Sequence, residues 1–417
     1  MKLKLLLIFA LVVMAKDVAV SQTVYDIKTA LQTAKANNRE LKSEQLTVQV
    51  AQADVVTAKL RPNLTLNNQT LQLAESAHYA PGTQWSNAQN RQVWWQLTKQ
   101  FQLPSQRKNK IDVANKSVAV SEATYKDFER NLLTDVAMKW LDVWLAQKKW
   151  QTALMAKNNW DTLVTINKNR LKNQVITTTD YNRTELVANQ YNLLSQTSKQ
   201  DYLNKLNTLK FALGVSNDIA IASDDAVELS ALQNQDQMLQ NAIENRSDIN
   251  VLKNNVEMMK SNISLQKSMA YPQPELGAIY NPQNSVPYVG IYATIDLPFF
   301  DRNQGEIKKS QVTKDKAEQE LATSQERIKT EIGNAYASYK QFEQNAGNLK
   351  KMKEQSYQIL SNVKYAYMRG GTTLIDFLEA QRTWYDSQEN YYEAVYQHKE
   401  SYIQLLYTTG LINQIAQ

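Results

Sequence analysis

The stretch Arg369-Gly-Gly-Thr-Thr-Leu-Ile-Asp-Phe-Leu-Glu-Ala-Gln-Arg-Thr-Trp-Tyr385 separates two long helical patterns, one running up to Met368 and one away from Leu374. Gly370 and Gly371 take positive φ at little steric cost and so suit a helix C-terminus. Thr372 or Thr373 then caps the next helix. The stretch therefore reads as a reversal between two antiparallel helices. Asp376 and Glu379 stand three apart in the first turns of the new helix and share one face, where the helix N-terminus stabilises their charge. Taken alone, two acids at such a tip read more readily as a solvated cap than as a functional site.

The same punctuation occurs once before. A helical pattern from about residue 105 to 173 carries Leu133, Val136, Trp140, Val143, Gln147, Trp150 and Leu154 at coiled-coil spacing. It reverses at Asn173-Gln-Val-Ile-Thr-Thr-Thr-Asp180, and a shorter helix runs on to Leu213 and Gly214. The later long pattern, about 303–368, carries Ile328, Ile332, Ala335, Tyr339, Phe342, Ala346 and Leu349 in the same way, and its partner ends at Thr409 and Gly410. An offset of 196 residues relates Asp180 to Asp376, Gly214 to Gly410 and Val136 to Ile332. Self-similarity over this length marks a duplicated unit whose apolar stripe is buried only by its neighbours.

Each long helix is preceded by a shorter helix, read as 24–60 and 234–269, and a β-hairpin. In the first hairpin, strands at about 63–73 and 91–103 alternate apolar and polar residues around a turn-rich loop, 74–90. In the second, strands at about 275–281 and 287–297 flank Asn281-Pro-Gln-Asn-Ser-Val-Pro287. The first loop is the longer, as expected of a surface insertion. This gives a first repeat over 22–214, a polar connector over 215–233 and a second repeat over 234–417. The fold class is mainly α with a small β part. At 1.5 Å per residue each long helix spans roughly 100 Å, and two short ones end to end match it.

The chain begins with Lys2 and Lys4 before an apolar run, Leu5 to Met14, which suits a signal peptide over 1–21. Val13-Met-Ala15 or Ala19-Val-Ser21 supplies the cleavage site, with Gln22 the preferred mature start. No later run reaches eighteen apolar residues, so no transmembrane helix is expected. There is no cysteine, which removes disulfides, thiolate metal sites and lipidation of an N-terminal cysteine. Only His78 and His398 represent histidine, and both read as incidental surface residues; no metal site, cofactor or catalytic triad is expected. The net charge is +6, but Lys and Arg are interspersed with acids along helical faces, so no nucleic-acid partner is expected. The tip acids lack a base or metal partner, and neighbours on one helix do not flank a substrate from two sides, so no enzyme is expected.

Four strands leave sheet edges open, and the helices leave stripes on both flanks; several chains closing into a ring remove both problems. Alternating strands then make a barrel, apolar to lipid and polar to a lumen, with Trp94, Trp95, Tyr280, Tyr288 and Tyr292 as candidate interfacial aromatics. The competing readings are a soluble β-domain and a periplasmic coiled-coil scaffold or adaptor without channel activity.

The duplicated helix–hairpin–helix–tip–helix scheme resembles the TolC-like outer membrane efflux family. The most specific pieces are Gly370-Gly-Thr-Thr-Leu-Ile-Asp-Phe-Leu-Glu-Ala380, Asp296-Leu-Pro-Phe-Phe-Asp301, Ala36-Asn-Asn-Arg-Glu-Leu41 and its echo Glu244-Asn-Arg-Ser-Asp-Ile249. The resemblance implies a homotrimer with a 12-stranded barrel in the outer membrane lipid and a helical tunnel in the periplasm. It also implies a periplasmic adaptor and an inner-membrane pump, of the resistance–nodulation–division type, as partners. The cargo, small molecules or ions, is left open. In the family, acids on the inner coils narrow the tunnel entrance; Asp376 and Glu379 stand at the matching positions, and Asp180 matches a tip acid of the first repeat. This chain departs from the family twice. Thr372 replaces a basic tip residue of some members, and Gln174, next to Asn173, replaces the first-repeat glycine. Asn173 can still take the left-handed conformation, at some cost.

Overall fold

The computed structural model describes residues 23–222, 234–283 and 286–416. The signal segment, both cleavage sites, Gln22, connector residues 223–233 and turn residues 284–285 lie outside the described residues. Strand β1 (Thr23–Tyr25) is followed by helices α1 (Ile27–Asn37) and α2 (Arg39–Lys59). Strands β2 (Leu64–Gln72) and β3 (Arg91–Gln100) form the first hairpin, and α3 (Pro104–Lys172) and α4 (Thr178–Leu213) the first helical pair. The second copy runs through β4 (Ile219–Ile221), α5 (Gln235–Asn245), α6 (Ser247–Met269), β5 (Glu275–Gln283), β6 (Val286–Thr294), α7 (Gln304–Met368) and α8 (Leu374–Thr409).

Several expectations need correction. The helix read over 24–60 is a strand and two helices broken at Asn38, and that over 234–269 is two helices broken at Arg246. The connector holds β4, which pairs in parallel with β1, Thr23 opposite Ile219. The strand expected over 91–103 ends at Gln100, where Pro104 opens α3. The second hairpin is tighter than read: β5 continues to Gln283, opposite Val286, while β6 stops at Thr294 rather than 297. Pro282 lies opposite Pro287, a pairing that suits a non-hydrogen-bonded position because neither residue has an N–H to offer.

The chain forms two compact units, each drawing on both repeats. The first comprises residues up to 42, 128–246 and 327–417. Its core is aromatic: Trp140, Trp144 and Trp160 of α3 are fully buried, with Leu31, Leu209 and Leu213 among the other enclosed side chains. The Trp140 indole N–H donates to Tyr25 O at 3.1 Å, which anchors β1.

The helix breaks belong to this core. The Asn38 amide donates to Ala212 O (2.9 Å), and its Oδ1 accepts Leu41 N–H (3.0 Å). One side chain thus serves an orphan carbonyl near the end of α4 and an orphan donor at the start of α2. At the second break the buried Arg246 guanidinium donates to Thr408 O (2.9 Å) and to Glu331 (2.8 Å). Ala212 and Thr408 are again 196 residues apart. Asparagine and arginine do one task at two related places. Gly214 and Gly410 close α4 and α8 with φ of 69° and 76°, and a Cβ at Gly214 would sit 2.7 Å from Asn37 O.

The second unit, residues 43–127 and 247–326, holds an antiparallel sheet of order β2-β3-β5-β6. The register places Leu66, Leu97, Ala278 and Ile291 in one row across four strands, with Asn68, Trp95, Tyr280 and Val289 in the next row on that face. The opposite face carries Thr65, Thr98, Gly277 and Tyr292, then Asn67, Gln96, Ile279 and Gly290. Trp95 and Tyr280 therefore share the apolar face, whereas Trp94, Tyr288 and Tyr292 stand on the polar one. The apolar face is uncovered: Leu66 is 65% exposed and Ile291 89%. The outer edges of β2 and β6 carry no partner among the described residues.

Loop 74–90 is held mainly by its own hydrogen bonds, and Gln72 at the end of β2 donates to Trp85 O. Buried Asn90 accepts from Ala80 N (2.8 Å) and donates to Thr83 Oγ1 and Gln84 O (both 2.9 Å). Because these bonds stay inside the loop, shortening it to the length of the β5–β6 turn should leave the β2–β3 pairing and assembly intact. Asn90→Ala should only hasten cleavage within 74–90. Limited proteolysis with assembly measured on native gels checks both; loss of assembly on shortening would make the segment structural.

Candidate functional site

The two helix reversals lie in the first unit and are built alike. After α7, Gly370 has φ of 77°, its N–H meets Tyr367 O, and Gly371 N–H meets Ala366 O at 2.9 Å. After α3, Gln174 has φ of 58°, its N–H meets Leu171 O, and Val175 N–H meets Arg170 O at 2.8 Å. Both close as Schellman turns. The left-handed residue of the first reversal is thus Gln174 and not Asn173. Position in the turn decides this, since Gln174 occupies the place of Gly370 one repeat earlier.

Thr177 and Thr373 are the N-caps, each with a reciprocal capping box to Asp180 and Asp376. Thr372 is not the cap, but its hydroxyl donates to Asp376 Oδ2 at 2.7 Å. That oxygen also accepts Thr373 Oγ1 (2.7 Å) and Thr373 N–H (3.1 Å). The Thr373 hydroxyl first, then that of Thr372, hold the exposed Asp376 carboxyl below its ordinary value. A depressed pKa means the cap is at full strength above the usual carboxylate range and is lost as pH falls through the lowered value, below 3.8. Asp376→Asn should therefore speed amide exchange in the first turn of α8 at pH 6, and the difference from wild type should vanish in strong acid. Hydrogen exchange at the two pH values measures it.

Glu379 has different company. It lines an open groove of about 930 Å³ with Arg382, Asp386, Tyr191, Trp160 and Leu194, among others. Asp376 and Asp180 do not line it. The two acids of α8 thus divide between a cap and a groove, though both are exposed. Beneath them, Tyr367 stacks on Phe377 with centroids 5.0 Å apart, and Trp160 on Tyr191 at 6.0 Å. Fully buried Asn167 accepts the Tyr367 hydroxyl (3.1 Å) and donates to Thr184 (2.9 Å), pinning α3 to α4 and α7. Burial, then Tyr385 and Asp386, pushes the Tyr191 phenol up to about 12. Asn167, Tyr191, Arg382 and Asp386 were not singled out from sequence, and only the helical spacing of 382 and 386 to Glu379 pointed to them.

The histidines divide as well. His78 is exposed beside Glu75. His398, expected at the surface, is half buried with its ring 5.0 Å from Tyr339, and burial lowers its pKa. Among the described residues, no group of three His, Cys, Asp or Glu is placed to hold a metal ion, and no helix is long and apolar enough to cross a membrane.

Residues 238–411 match the family model described as Outer membrane efflux protein. Among curated protein sequences none matches this chain. Solved structures match along nearly its whole length. A membrane protein from Pseudomonas aeruginosa is 17% identical over 94% of this chain and 92% of its own, with a TM-score of 0.76. CusC, described for its folding and transmembrane channel formation, is 17% identical over 93% of both chains (TM-score 0.75). The Neisseria gonorrhoeae MtrE outer membrane channel, in its open state, is 15% identical over 94% and 90% (TM-score 0.75). Residues 238–411 are thus similar to the outer membrane efflux protein family, in a chain that has the fold of solved outer membrane channels.

Proposed function

We propose that this chain is the outer membrane exit duct of a tripartite efflux system, working as a homotrimer. The observation that carries the reading is the four-stranded sheet: one face apolar and exposed, the other polar, and two open edges. Such a sheet suits neither water nor a soluble core. Three copies joined edge to edge would close twelve strands into a barrel with lipid outside and water inside. The exposed Leu186, Leu193 and Leu203 of α4, and Met352 and Ile359 of α7, supply apolar surface for neighbouring copies. Repeats 22–214 and 234–417, joined by 215–233, would each contribute half of every protomer's share. The localisation is the outer membrane with the helical part in the periplasm, reached through a signal peptide over 1–21. A periplasmic adaptor and an inner-membrane pump of the resistance–nodulation–division type deliver the cargo.

In this reading the two reversals form the periplasmic entrance, turned by Gly370, Gly371, Thr372, Asn173 and Gln174. Asp376 and Glu379 from three chains bring six carboxylates to one opening, with Asp180 nearby. Asp376 stays ionised to lower pH than an ordinary carboxyl. A ring of this kind draws in cations and repels anions. Asp376→Asn with Glu379→Gln should reduce cation selectivity and block by multivalent cations at normal trimer yield. Single-channel reversal potentials in a salt gradient test it; equal values for the variant and wild type would remove both acids from the gate.

A further inference from the structure

The four strand–helix junctions of the second unit lie at one end of the sheet, since β2 and β5 leave helices there and β3 and β6 return to them. Two features meet at this end. The first is charge. Segments 56–64, 98–112, 264–276 and 293–310 hold ten Lys and Arg against five Asp and Glu, a net +5 of the chain's +6. The second is bare aromatic and aliphatic surface. Leu297 is 65% exposed, Phe299 69% and Phe300 94%.

That exposure is built in. Phe299 N–H bonds Leu297 O (2.8 Å), the Arg302 guanidinium bonds Pro298 O (3.1 Å), and the Gln304 amide bonds Phe300 O (3.0 Å). Asn303, at φ of 60°, ties the loop to Gln266 O at 2.8 Å. Asp301 is turned back onto Asn303 N–H, which leaves Arg302 as the cation beside the two phenylalanines. A loop held this way presents two phenyl rings to the outside at fixed positions.

The sheet adds a register mark. On its apolar face the only charged residues, among the described residues, are Arg91 and Lys99, at opposite ends of β3. Eight residues separate them, about 26 Å along the strand, the order of the apolar band of an outer-membrane barrel. Lys99 is the one at the junction end, with its ammonium 6.0 Å from the Phe101 ring centroid. An ammonium at the border of an apolar face, with exposed rings and a guanidinium at the same end of the sheet, matches the chemistry of a lipid phosphate above acyl chains.

We propose that this junction is a docking surface for the anionic phospholipid headgroups of the bilayer leaflet on the helix side. Lys99 and Arg302 meet the phosphates, and Phe101, Phe299 and Phe300 enter the interface. The proposal rests on the exit-duct reading and adds a lipid preference to it. Full-length protein is inserted into planar bilayers of phosphatidylethanolamine alone or mixed with phosphatidylglycerol, and conducting insertions are counted. Wild type should insert at least about fivefold faster into the anionic membrane at low salt, and the preference should fade in high salt. Lys99→Gln with Arg302→Gln should lose the preference while keeping conductance, and Phe299→Ser with Phe300→Ser should insert slowly into both membranes.

Equal wild-type rates in the two membranes, or a preference unchanged in the Lys99/Arg302 variant, overturn the proposal and leave the duct reading standing. Variants that lose the trimer on native gels at unchanged lipid preference would assign the patch to a neighbouring copy and overturn it too. No conducting insertion of wild type in either membrane overturns the exit-duct reading and this one with it.

Discussion

Gly277→Val is expected to prevent formation of the four-stranded sheet. A Cβ at this position would lie 2.3 Å from Leu97 O and 2.8 Å from Thr98 Cα, both backbone atoms of the neighbouring strand. A flexible side chain could move aside; a hydrogen-bonded strand cannot do so without giving up its pairing. The cost therefore exceeds the ordinary overpacking penalty of about 1–3 kcal/mol. The β3–β5 ladder joins the two hairpins, from Trp95 opposite Tyr280 to Gln100 opposite Glu275, so its loss divides the sheet in two. Gly290→Val is the matched control. It stands on the same face, one strand over, with nothing within 4 Å of its Cβ. On the proposed trimeric reading, heat-resistant trimer in outer-membrane fractions should fall at least about tenfold for Gly277→Val, an effect of 1.4 kcal/mol or more, and stay near wild type for Gly290→Val. Equal yields would show that the strand accommodates the side chain.

Arg246→Ala is expected to cost about 3 kcal/mol, the lower end for breaking a buried ion pair. The guanidinium is almost completely buried between Glu331 and the last-turn carbonyl of Thr408, so its removal takes a donor from both. The lower end applies because Glu331 is about one-third exposed and has Arg327 as a second, longer partner at 3.6 Å. Asn38→Ala, the equivalent loss in the first repeat, should cost less, about 1–3 kcal/mol, because it leaves neutral groups unsatisfied and no charge. The midpoint of thermal loss of helical circular dichroism should therefore fall further for Arg246→Ala than for Asn38→Ala. The opposite order would mean that the Glu331 carboxylate is solvated in the variant and the break does not depend on the ion pair.

These two sites also mark where reading the sequence stops. The long helices, the two reversals and the alternating strands were legible because each signal is local: apolar spacing of three and four, spacing of two, and Pro or Gly as punctuation. The 196-residue offset was legible for the same reason, and the capping boxes at Thr177 and Thr373 follow from residues three apart. At the candidate entrance, the positions of Asp180, Asp376 and Glu379 on their helices could be read, but not what each carboxylate touches. Asp376 is occupied by two threonine hydroxyls and an N–H, while Glu379 lines a groove whose other wall comes from α4, nearly two hundred residues earlier.

The sequence by itself thus determined the order of the long helices and hairpins, their duplication and the two-faced strands, since these depend on neighbours along the chain. Only the tertiary structure decided the breaks at Asn38 and Arg246, the β1–β4 pair and the left-handed Gln174. Each break is made by a side chain that leaves its helix to serve a carbonyl 174 or 162 residues away. Asparagine and arginine are ordinary helix residues until such a carbonyl is within reach. Gln174 accepts an unfavourable φ because two turn hydrogen bonds close on it. Orphan backbone groups at helix ends must find partners, and where those partners lie is a property of the folded chain alone.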